Sequence, residues 1–545
     1  MRGIGTVDGH GVVRGRRARA GRRVRPEERK TLIQPARHPD FEPAVEPPVD
    51  ETLIDAATSL GSERRGSSAV GGFLWTTLAW GGNRVVIFVL TLVLARLLTP
   101  EDFGLVTAAL TLIAMLDAAL DLGVGAAVVA DQEQGITRRT RTAGTLNLII
   151  SAVVAGAGAA ASPLIASWFG APDQAWLFAL IFTYPLFRGA GQVSDAVLKR
   201  DLLFKRRTLV DLLRAAVRVA VSIPMALTVG GAISIAAGIV VSELAALVLL
   251  MVLEPVRPVL RMDPVTVRSL LGFGGQVTVI RVLGSVRSNV DYLVVGGVLG
   301  ASALGIYGMA YKLPEMGIEN VLWIFSGVAL AAYSRSYARG REALVTTMLK
   351  ATRLLALYGL AAATTLAVIA RDAVPVLFSE QWDAAVTPMM LISLSLGLMS
   401  IAWASGDVFV AMGRLRLMIV LDVPATAAMV VAFVLVAHTG LVAVAAVHLA
   451  FNAVYCVARL ILLQRVTGVR GRELADTVMP ALAVAGVTAV VGLAVRSVLP
   501  PGELLSLILL TGVCGVAVAA SSLLLARTAV REGLRAVLPS VRRRR

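Results

Sequence analysis

Long apolar stretches, separated by short polar segments, fill the chain from about residue 73 onward. Most of them reach about 20 residues, the length at which an α-helix crosses the hydrocarbon core of a bilayer. We therefore predict an all-α integral membrane protein with about 14 transmembrane helices. The predicted spans are residues 73–97, 104–130, 144–169, 175–198, 209–229, 232–253, 270–298, 302–333, 348–370, 384–412, 416–437, 440–463, 475–497 and 503–526.

The charge of the polar segments alternates along the chain. Segments after odd-numbered spans are short and poor in Lys and Arg, such as residues 99–102 and 300–301, and we place residues 372–383 among them. Segments after even-numbered spans are basic, such as residues 138–141 and 199–207. Because cytoplasmic loops carry the excess of positive charge, the alternation predicts that both termini are cytoplasmic.

Both ends of the chain are basic. Residues 1–70 are rich in Arg, Pro, Glu and Gly and lack an apolar run, which predicts a disordered tail, and residues 528–545 form a second basic tail. In a soluble protein, the formal charge of +16 would suggest a nucleic-acid partner. Here 57% of the residues are hydrophobic and the cations lie in tails and alternate loops. Membrane topology therefore explains the charge, and we predict no nucleic-acid partner.

Two segments with a similar pattern indicate an internal repeat. The first begins at Leu97 and the second at Val298, an offset of 201 residues (298 − 97). Each segment follows an apolar helix that contains charged residues, so the chain is predicted to consist of two related halves. The matched positions are Leu98 with Leu299, Gly104 with Gly305, and Ala109 with Ala310.

The first helix of each half carries cations in the middle of an apolar span, namely Arg84 in one and Arg281 and Arg287 in the other. A charge in hydrocarbon costs at least about 2.5–3.5 kcal/mol on insertion scales, so such a residue faces a cavity or a partner. Arginine binds phosphate oxygens through a planar, bidentate fork. We therefore predict a cationic cavity for a phosphate or diphosphate group. The alternative is a set of structural ion pairs, for example between Arg287 and Asp291, four residues apart.

Further charged residues lie inside spans. Lys312, Glu315 and Glu319 surround Pro314, which is expected to kink its helix. The others are Arg218 in the fifth span, Asp407 in the tenth and Asp422 in the eleventh.

Three acidic residues are candidates for ion coupling. Asp117 and Asp121 lie four residues apart on one face of the second span. Two carboxylates this close can share one proton, as a proton-coupled carrier requires, although a role as pairing partners explains them equally well. Asp291 in the seventh span is the third candidate.

An enzyme is a competing interpretation, because membrane glycosyltransferases place acidic residues in outer loops for general-base catalysis. Glu101 and Asp102 occupy such a loop, but they follow Thr99-Pro100 and precede a helix, which favours helix capping. We see no loop large enough for an elaborate active site, no metal-ligand spacing and no cofactor motif. Cys456 and Cys514 lie in apolar spans, and we expect them to be core residues.

Four segments, in order and at matching spacing, resemble those of Wzx-type oligosaccharide flippases. These proteins form part of the multidrug/oligosaccharidyl-lipid/polysaccharide exporter superfamily. The resemblance covers roughly residues 73–464. The segments are residues 94–104, 121–125, 291–307 and 411–414.

The resemblance implies two six-helix lobes, residues 71–253 and 254–464, that face each other across a central cavity, with an extra helix pair at residues 465–527. It also implies a location in the bacterial plasma membrane. The implied cargo is a polyprenyl-diphosphate-linked oligosaccharide, moved from the inner to the outer leaflet for cell-surface polysaccharide synthesis. Membrane lipids are expected partners, with a polysaccharide polymerase and glycosyltransferases as further ones.

By position, the resemblance gives the diphosphate-binding role to Arg84 and Arg281, with Arg287 and Lys312 as further candidates. Two alternative cargoes remain within the same superfamily. An exporter of cationic drugs favours an acidic cavity, whereas this chain places arginines in both lead helices. A flippase for the peptidoglycan lipid precursor needs the same cationic cavity and stays an alternative.

Overall fold

The computed structural model describes residues 66–120, 138–201, 203–256, 264–530 and 532. Helices dominate the described residues, which contain no β-strand. The helices are α1 (Gly66–Leu97), α2 (Pro100–Leu120), α3 (Arg138–Trp168), α4 (Ala175–Ile181), α5 (Tyr184–Arg200), α6 (Phe204–Thr228), α7 (Ile233–Leu253), α8 (Pro264–Pro314), α9 (Asn320–Ala338), α10 (Arg341–Leu377), α11 (Val386–Ala411), α12 (Leu415–Ala437), α13 (Leu441–Thr467), α14 (Gly471–Arg496) and α15 (Leu504–Leu525).

The helix order confirms the predicted membrane fold. Nine helical segments within the described ranges are long and apolar enough to cross a membrane. Helix α5, with 17 residues, is too short to be among them, and α6 is excluded by its several charged side chains, some of which pair inside the protein. The predicted basic tails lie outside the described residues, apart from the segments next to α1 and α15.

Helix α8 contains two helices that meet at Gly300. The backbone of Gly300 has φ of 84° and ψ of 178°, a conformation that glycine adopts without a Cβ clash. The segments before and after Gly300 are termed α8a and α8b below. The break lies where the sequence predicts the loop between the seventh and eighth spans, and it makes α8a and α8b the counterparts of α1 and α2.

Helices α2 and α8b cross in direct backbone contact. A Cβ atom on Gly104 would lie 1.7 Å from the carbonyl oxygen of Ala301, and one on Gly305 would lie 1.8 Å from that of Pro100. The repeat offset of 201 residues relates Pro100 to Ala301 (301 − 100) and Gly104 to Gly305 (305 − 104). Each of the two contacts is therefore the equivalent of the other in the opposite half of the repeat. An isologous contact of this kind requires a two-fold axis between its partners. The predicted repeat is therefore confirmed at these positions as a local pseudo-two-fold relation between α2 and α8b. Helices α1–α7 are termed the N-terminal lobe below, and α8–α13 the C-terminal lobe.

The same end of the lobe interface, termed the closed end, is sealed around this crossing. The Trp382 indole, fully buried, donates to the carbonyl oxygen of Ala95 at 2.8 Å and meets Phe103 edge-on at 5.2 Å between ring centroids. At the position equivalent to Ala95 (95 + 201), a Cβ on Gly296 would meet the Phe169 ring at 2.4 Å. The first helix of each lobe, α1 or α8a, is thus covered at this end by the opposite lobe.

The extra pair α14 and α15 packs beside α10. Asp372, only 1% exposed, accepts a hydrogen bond from Arg496 at 2.6 Å and one from the backbone N–H of Gly502 at 2.9 Å. The prediction that residue 372 begins an outer loop is therefore wrong. Helix α10 continues to Leu377, because Arg496 compensates the charge of the buried carboxylate.

Candidate substrate-binding groups between and within the lobes

Two of the predicted diphosphate-binding residues meet on one carboxylate. Arg84 of α1 lies 3.5 Å from one oxygen of Glu315, and Lys312 of α8b lies 3.8 Å from the other. All three side chains are about 40% exposed: Arg84 at 43%, Lys312 at 42% and Glu315 at 38%. Glu315 begins a π-helical turn, Glu315–Glu319, directly after Pro314, and such turns are frequent at functional sites. The kink thus brings a carboxylate of one lobe to a cation of the other.

Arg287 has partners on two other helices. Its guanidinium lies 3.6 Å from a carboxylate oxygen of Asp422 on α12, donates to the Tyr455 hydroxyl on α13, and lies 4.0 Å from the centroid of the Tyr455 ring. The Tyr455 hydroxyl in turn donates to Asp422. The predicted pair between Arg287 and Asp291 is therefore wrong. Asp291 is turned into the lobe interior, where its Oδ2 accepts hydrogen bonds from two hydroxyl groups.

Asp291 is the end of a buried hydrogen-bonded chain. Its Oδ2 accepts hydrogen bonds from the hydroxyls of Tyr307 and Tyr311, each at 3.0 Å, and its Oδ1 accepts one from the backbone N–H of Tyr292 at 3.0 Å. The carboxylate is 4% exposed, and every hydrogen bond described for it comes from a neutral group. A buried charge without a cationic partner is unusual in a protein interior.

The chain continues from Tyr311 to the polar residues of α11 and α13. Tyr311 donates its only proton to Asp291, so its oxygen accepts from Nε2 of His448 at 3.1 Å. This assignment leaves Nδ1 of His448 as the acceptor for Ser395 at 3.0 Å, and Ser395 accepts from Asn452 at 2.8 Å. These donor directions correspond to the neutral tautomer of His448 in which Nε2 carries the proton and Nδ1 accepts.

The N-terminal lobe buries a different cluster. Glu243 of α7, 3% exposed, accepts hydrogen bonds from Arg188 of α5 at 3.3 Å and from Arg214 of α6 at 2.8 Å. Arg214 also donates to Asp211 at 2.8 Å. Our sequence prediction did not select these residues as a site. The available signal was Glu243, an isolated acid in the apolar stretch of α7.

Arg218 lies beside this cluster and lines a cavity of about 230 Å³. Its Nε atom is buried without a hydrogen-bond partner in the described part of the chain. The cavity is otherwise lined by Leu110, Ile113 and Ala114 of α2, Tyr184 of α5 and Ile239 of α7.

The side chains of three predicted site residues lie outside the part of the chain that the structure describes. Arg281 lies in α8a and Asp117 in α2, but the described side chains include neither, and Asp121 falls in the range 121–137 that is not described. Their predicted roles stay predictions.

Of the acidic pair at the start of α2, Asp102 has a capping geometry, and Glu101 lies beside it in the first turn. A side-chain oxygen of Asp102 accepts from the backbone N–H of Thr99 at 3.0 Å and from its hydroxyl at 2.7 Å. The Thr99 hydroxyl accepts from the backbone N–H of Asp102 at 3.3 Å. These reciprocal bonds form a capping box, so the capping interpretation is confirmed. The two cysteines are buried and unpaired, as predicted.

Comparison with known proteins supports a transporter. A family model described as polysaccharide biosynthesis protein matches residues 93–387, or 295 of the 545 residues. The chain is 27% identical over 337 residues to the succinoglycan biosynthesis transport protein ExoT of Rhizobium meliloti (strain 1021), covering 60% of this chain and 66% of that protein. It is 24% identical over 351 residues to the lipopolysaccharide biosynthesis protein WzxC of Escherichia coli (strain K12), covering 63% and 70%. Part of each relative therefore lies outside the match.

Two solved structures share the fold. The lipid II flippase MurJ in an inward closed conformation matches with a TM-score of 0.68 at 10% identity, covering 84% of this chain and 100% of that chain. An inward-facing multidrug resistance MATE family transporter matches with a TM-score of 0.59 at 17% identity, covering 71% and 94%. At these identities the likeness concerns the two-lobe membrane transporter fold alone. The fold and the family match confirm the resemblance carried by the four sequence segments, and the chain belongs to the polysaccharide biosynthesis protein family.

Proposed function

We propose that the protein is a flippase that moves polyprenyl-diphosphate-linked oligosaccharide units from the inner to the outer leaflet of the bacterial plasma membrane. The observation that carries the proposal is the convergence of Arg84 and Lys312, from opposite lobes, on Glu315 at the lobe interface. A cation from each lobe at one exposed point suits a dianionic or trianionic group that contacts both lobes. The resulting oligosaccharide units supply cell-surface polysaccharide synthesis, in agreement with the names of the relatives.

In this proposal, Glu315 occupies the diphosphate position when no cargo is bound. The ion pairs are half-exposed, and exposed pairs of this kind contribute only about 0–1 kcal/mol. A diphosphate brings more charge and allows bidentate contact with the arginine fork, so it displaces the carboxylate. Arg281, whose position precedes Arg287 in α8a, is our further candidate for the same group.

Alternating access supplies the movement. The backbone contact between Gly104 and Ala301 closes one end of the lobe interface, and the pseudo-two-fold relation allows the lobes to rock about it. If the basic loops and both termini are cytoplasmic, as we propose, the closed end faces outward. The state described here then precedes release of the glycan to the outer surface.

Ion coupling is proposed at Asp291, with Asp117 and Asp121 as the other candidates. Uptake of a proton by Asp291 changes the bonds it accepts from Tyr307 and Tyr311, and through Tyr311 the bond to His448. Arg287, four residues earlier, is directed to Asp422 and leaves the carboxylate without that cation. We expect transport by the Asp291→Asn variant to lose its response to an imposed proton gradient, and an unchanged response would exclude Asp291 from coupling.

The test of the function is lipid analysis in cells depleted of the protein. We expect polyprenyl-diphosphate-linked oligosaccharide to accumulate on the cytoplasmic side while surface polysaccharide falls. Accumulation of the peptidoglycan lipid precursor instead would assign the alternative cargo, which carries the same diphosphate. If the amounts of lipid-linked precursors stay unchanged and the depleted cells become sensitive to cationic drugs, the protein is a drug exporter and not a flippase.

A further inference from the structure

Arg218 is a cation deep in the N-terminal lobe. It lies 14 residues after Phe204, the first residue of α6 (218 − 204), or about 21 Å along the helix at 1.5 Å per residue. It is also one residue from the centre of the predicted span, residues 209–229, and so lies near the middle of the hydrocarbon layer if that span crosses it. Its buried Nε has no hydrogen-bond partner in the described residues, although a buried polar group without a partner is costly. Such a residue needs a compensating group.

The neighbouring carboxylates do not supply it. Glu243 accepts from Arg188 and Arg214, and Asp211 accepts from Arg214. No hydrogen bond or ion pair joins Arg218 to either carboxylate in the described part of the chain, so Glu243 acts on it only through longer-range electrostatic attraction. The Arg218 guanidinium borders an open cavity instead.

The cavity has the size and lining for a compact anion. Its volume of about 230 Å³ is below the roughly 300–1,000 Å³ of sites for drug-sized ligands, so an oligosaccharide does not fit. Its walls from α2 and α7 are apolar, and Arg218 and Tyr184 are the polar side chains in its lining. One turn further along α6, the Ser222 hydroxyl is also buried, and the described residues offer it no hydrogen-bond partner.

The cavity lies against the interface between the lobes. Ala114 of α2 forms part of its wall, and the carbonyl oxygen of Ala114 accepts a hydrogen bond from Ser285 of α8a at 3.1 Å. A single helix therefore separates Arg218 from the path between the lobes. A rearrangement of α2 against α8a changes the access of the cavity to that path.

We propose that the Arg218 cavity is a binding site for one phosphate-class anionic group, separate from the Arg84–Glu315–Lys312 cluster. The guanidinium supplies the charge and the directed hydrogen bonds, and the apolar walls exclude competing water. The assignment of the natural ligand as the diphosphate of a lipid-linked glycan rests on the proposed function. The phosphate headgroup of an anionic phospholipid has the same chemistry and is the other source.

The test uses the purified full-length protein in detergent and three variants. Arg218→Met removes the charge but keeps an unbranched side chain, and Arg218→Lys keeps the charge. Arg206→Met is the matched control, because it removes a charge from the exposed start of the same helix, where Arg206 pairs with Glu254. The probes are inorganic pyrophosphate, undecaprenyl diphosphate and phosphatidylglycerol, and the readouts are binding affinity and unfolding temperature.

We expect at least one probe to bind wild type, with affinity lowered about tenfold or more in Arg218→Met, by less in Arg218→Lys and not in Arg206→Met. Without a probe, Arg218→Met should unfold at the same or a higher temperature than wild type, since it removes an uncompensated charge. A lower temperature would indicate a structural ion pair and overturn the proposal. Equal affinity of wild type and Arg218→Met for every probe, or binding of none by wild type, would also overturn it.

The probes distinguish the two ligand sources and the two proposals. Binding of undecaprenyl diphosphate but not phosphatidylglycerol through Arg218 assigns the lipid carrier, and the reverse assigns a membrane phospholipid. If Arg218 binds the carrier while depleted cells accumulate no linked glycan, the site stands and the proposed function fails. If linked glycan accumulates but Arg218→Met binds all probes normally, the function stands and this site fails.

Discussion

The two lobes share a backbone relation but bury different chemistry. In the N-terminal lobe, the buried Glu243 receives two guanidinium groups, and Nε of the nearby Arg218 has no hydrogen-bond partner among the described residues. In the C-terminal lobe, the buried Asp291 receives two tyrosine hydroxyls. The lobes resemble each other where Gly104 and Gly305 bring the backbones together, because that contact needs the same residue on both sides. They differ inside, where one lobe is arranged to hold an anion and the other to relay hydrogen bonds.

The strongest contrast is expected between Glu243→Gln and Asp291→Asn. Loss of the Glu243 charge leaves Arg188 and Arg214 without their buried carboxylate, so we expect a loss of about 3–5 kcal/mol in the free energy of unfolding. Asn at position 291 keeps an oxygen for the tyrosine hydroxyls and removes a buried charge, so we expect a change of about 1 kcal/mol or less. Denaturation of both variants in the same detergent measures the difference. Equal losses would mean that the lobes do not differ in this way.

The helix crossing should respond symmetrically. Gly104→Ala and Gly305→Ala each place a methyl group against a backbone carbonyl group of the other helix. We therefore expect either variant to destabilise the closed end, relative to its open form, by about 1–3 kcal/mol. Cross-linking of a cysteine pair across the closed end reports its population, with Gly82→Ala as the control because a Cβ there meets nothing within 4 Å. A large effect in only one variant would contradict the pseudo-two-fold contact.

The tyrosines of the C-terminal chain should differ. Tyr311→Phe leaves the Nε2 proton of His448 without its acceptor and should cost about 1–3 kcal/mol. Tyr307→Phe removes only a hydroxyl donor to Asp291 and should cost about 1 kcal/mol. Unfolding of the two single variants compares them directly. A larger loss for Tyr307→Phe would contradict the place of Tyr311 as the link between Asp291 and His448.

The smallest effect on stability is expected at the interface between the lobes. Glu315→Gln breaks half-exposed ion pairs with Arg84 and Lys312, so the free energy of unfolding should change by about 1 kcal/mol or less. Binding of undecaprenyl diphosphate should become tighter, because the competing carboxylate is gone. Weaker binding would show that Glu315 does not occupy the diphosphate position.

Sequence reasoning predicted the helices well, because span length and loop charge act locally along the chain. It also found the repeat, whose Gly104 and Gly305 prove to face each other. It did not predict that Arg287 pairs with Asp422, since the partner lies 135 residues away (422 − 287) on a helix whose neighbour is set by packing. It noted Arg218 without a role, because its unpartnered Nε and the cavity beside it depend on how α2, α5, α6 and α7 pack together.

In the proposed function, cations of both lobes carry a lipid-linked diphosphate across the membrane. The most direct measurement is transfer of polyprenyl-diphosphate-linked oligosaccharide, purified from depleted cells, between the leaflets of vesicles that contain the protein. We predict transfer by wild type and by Arg206→Met, with a loss of about tenfold or more in Arg84→Ala. Transfer no faster than in protein-free vesicles, or undiminished transfer by Arg84→Ala, would contradict the account.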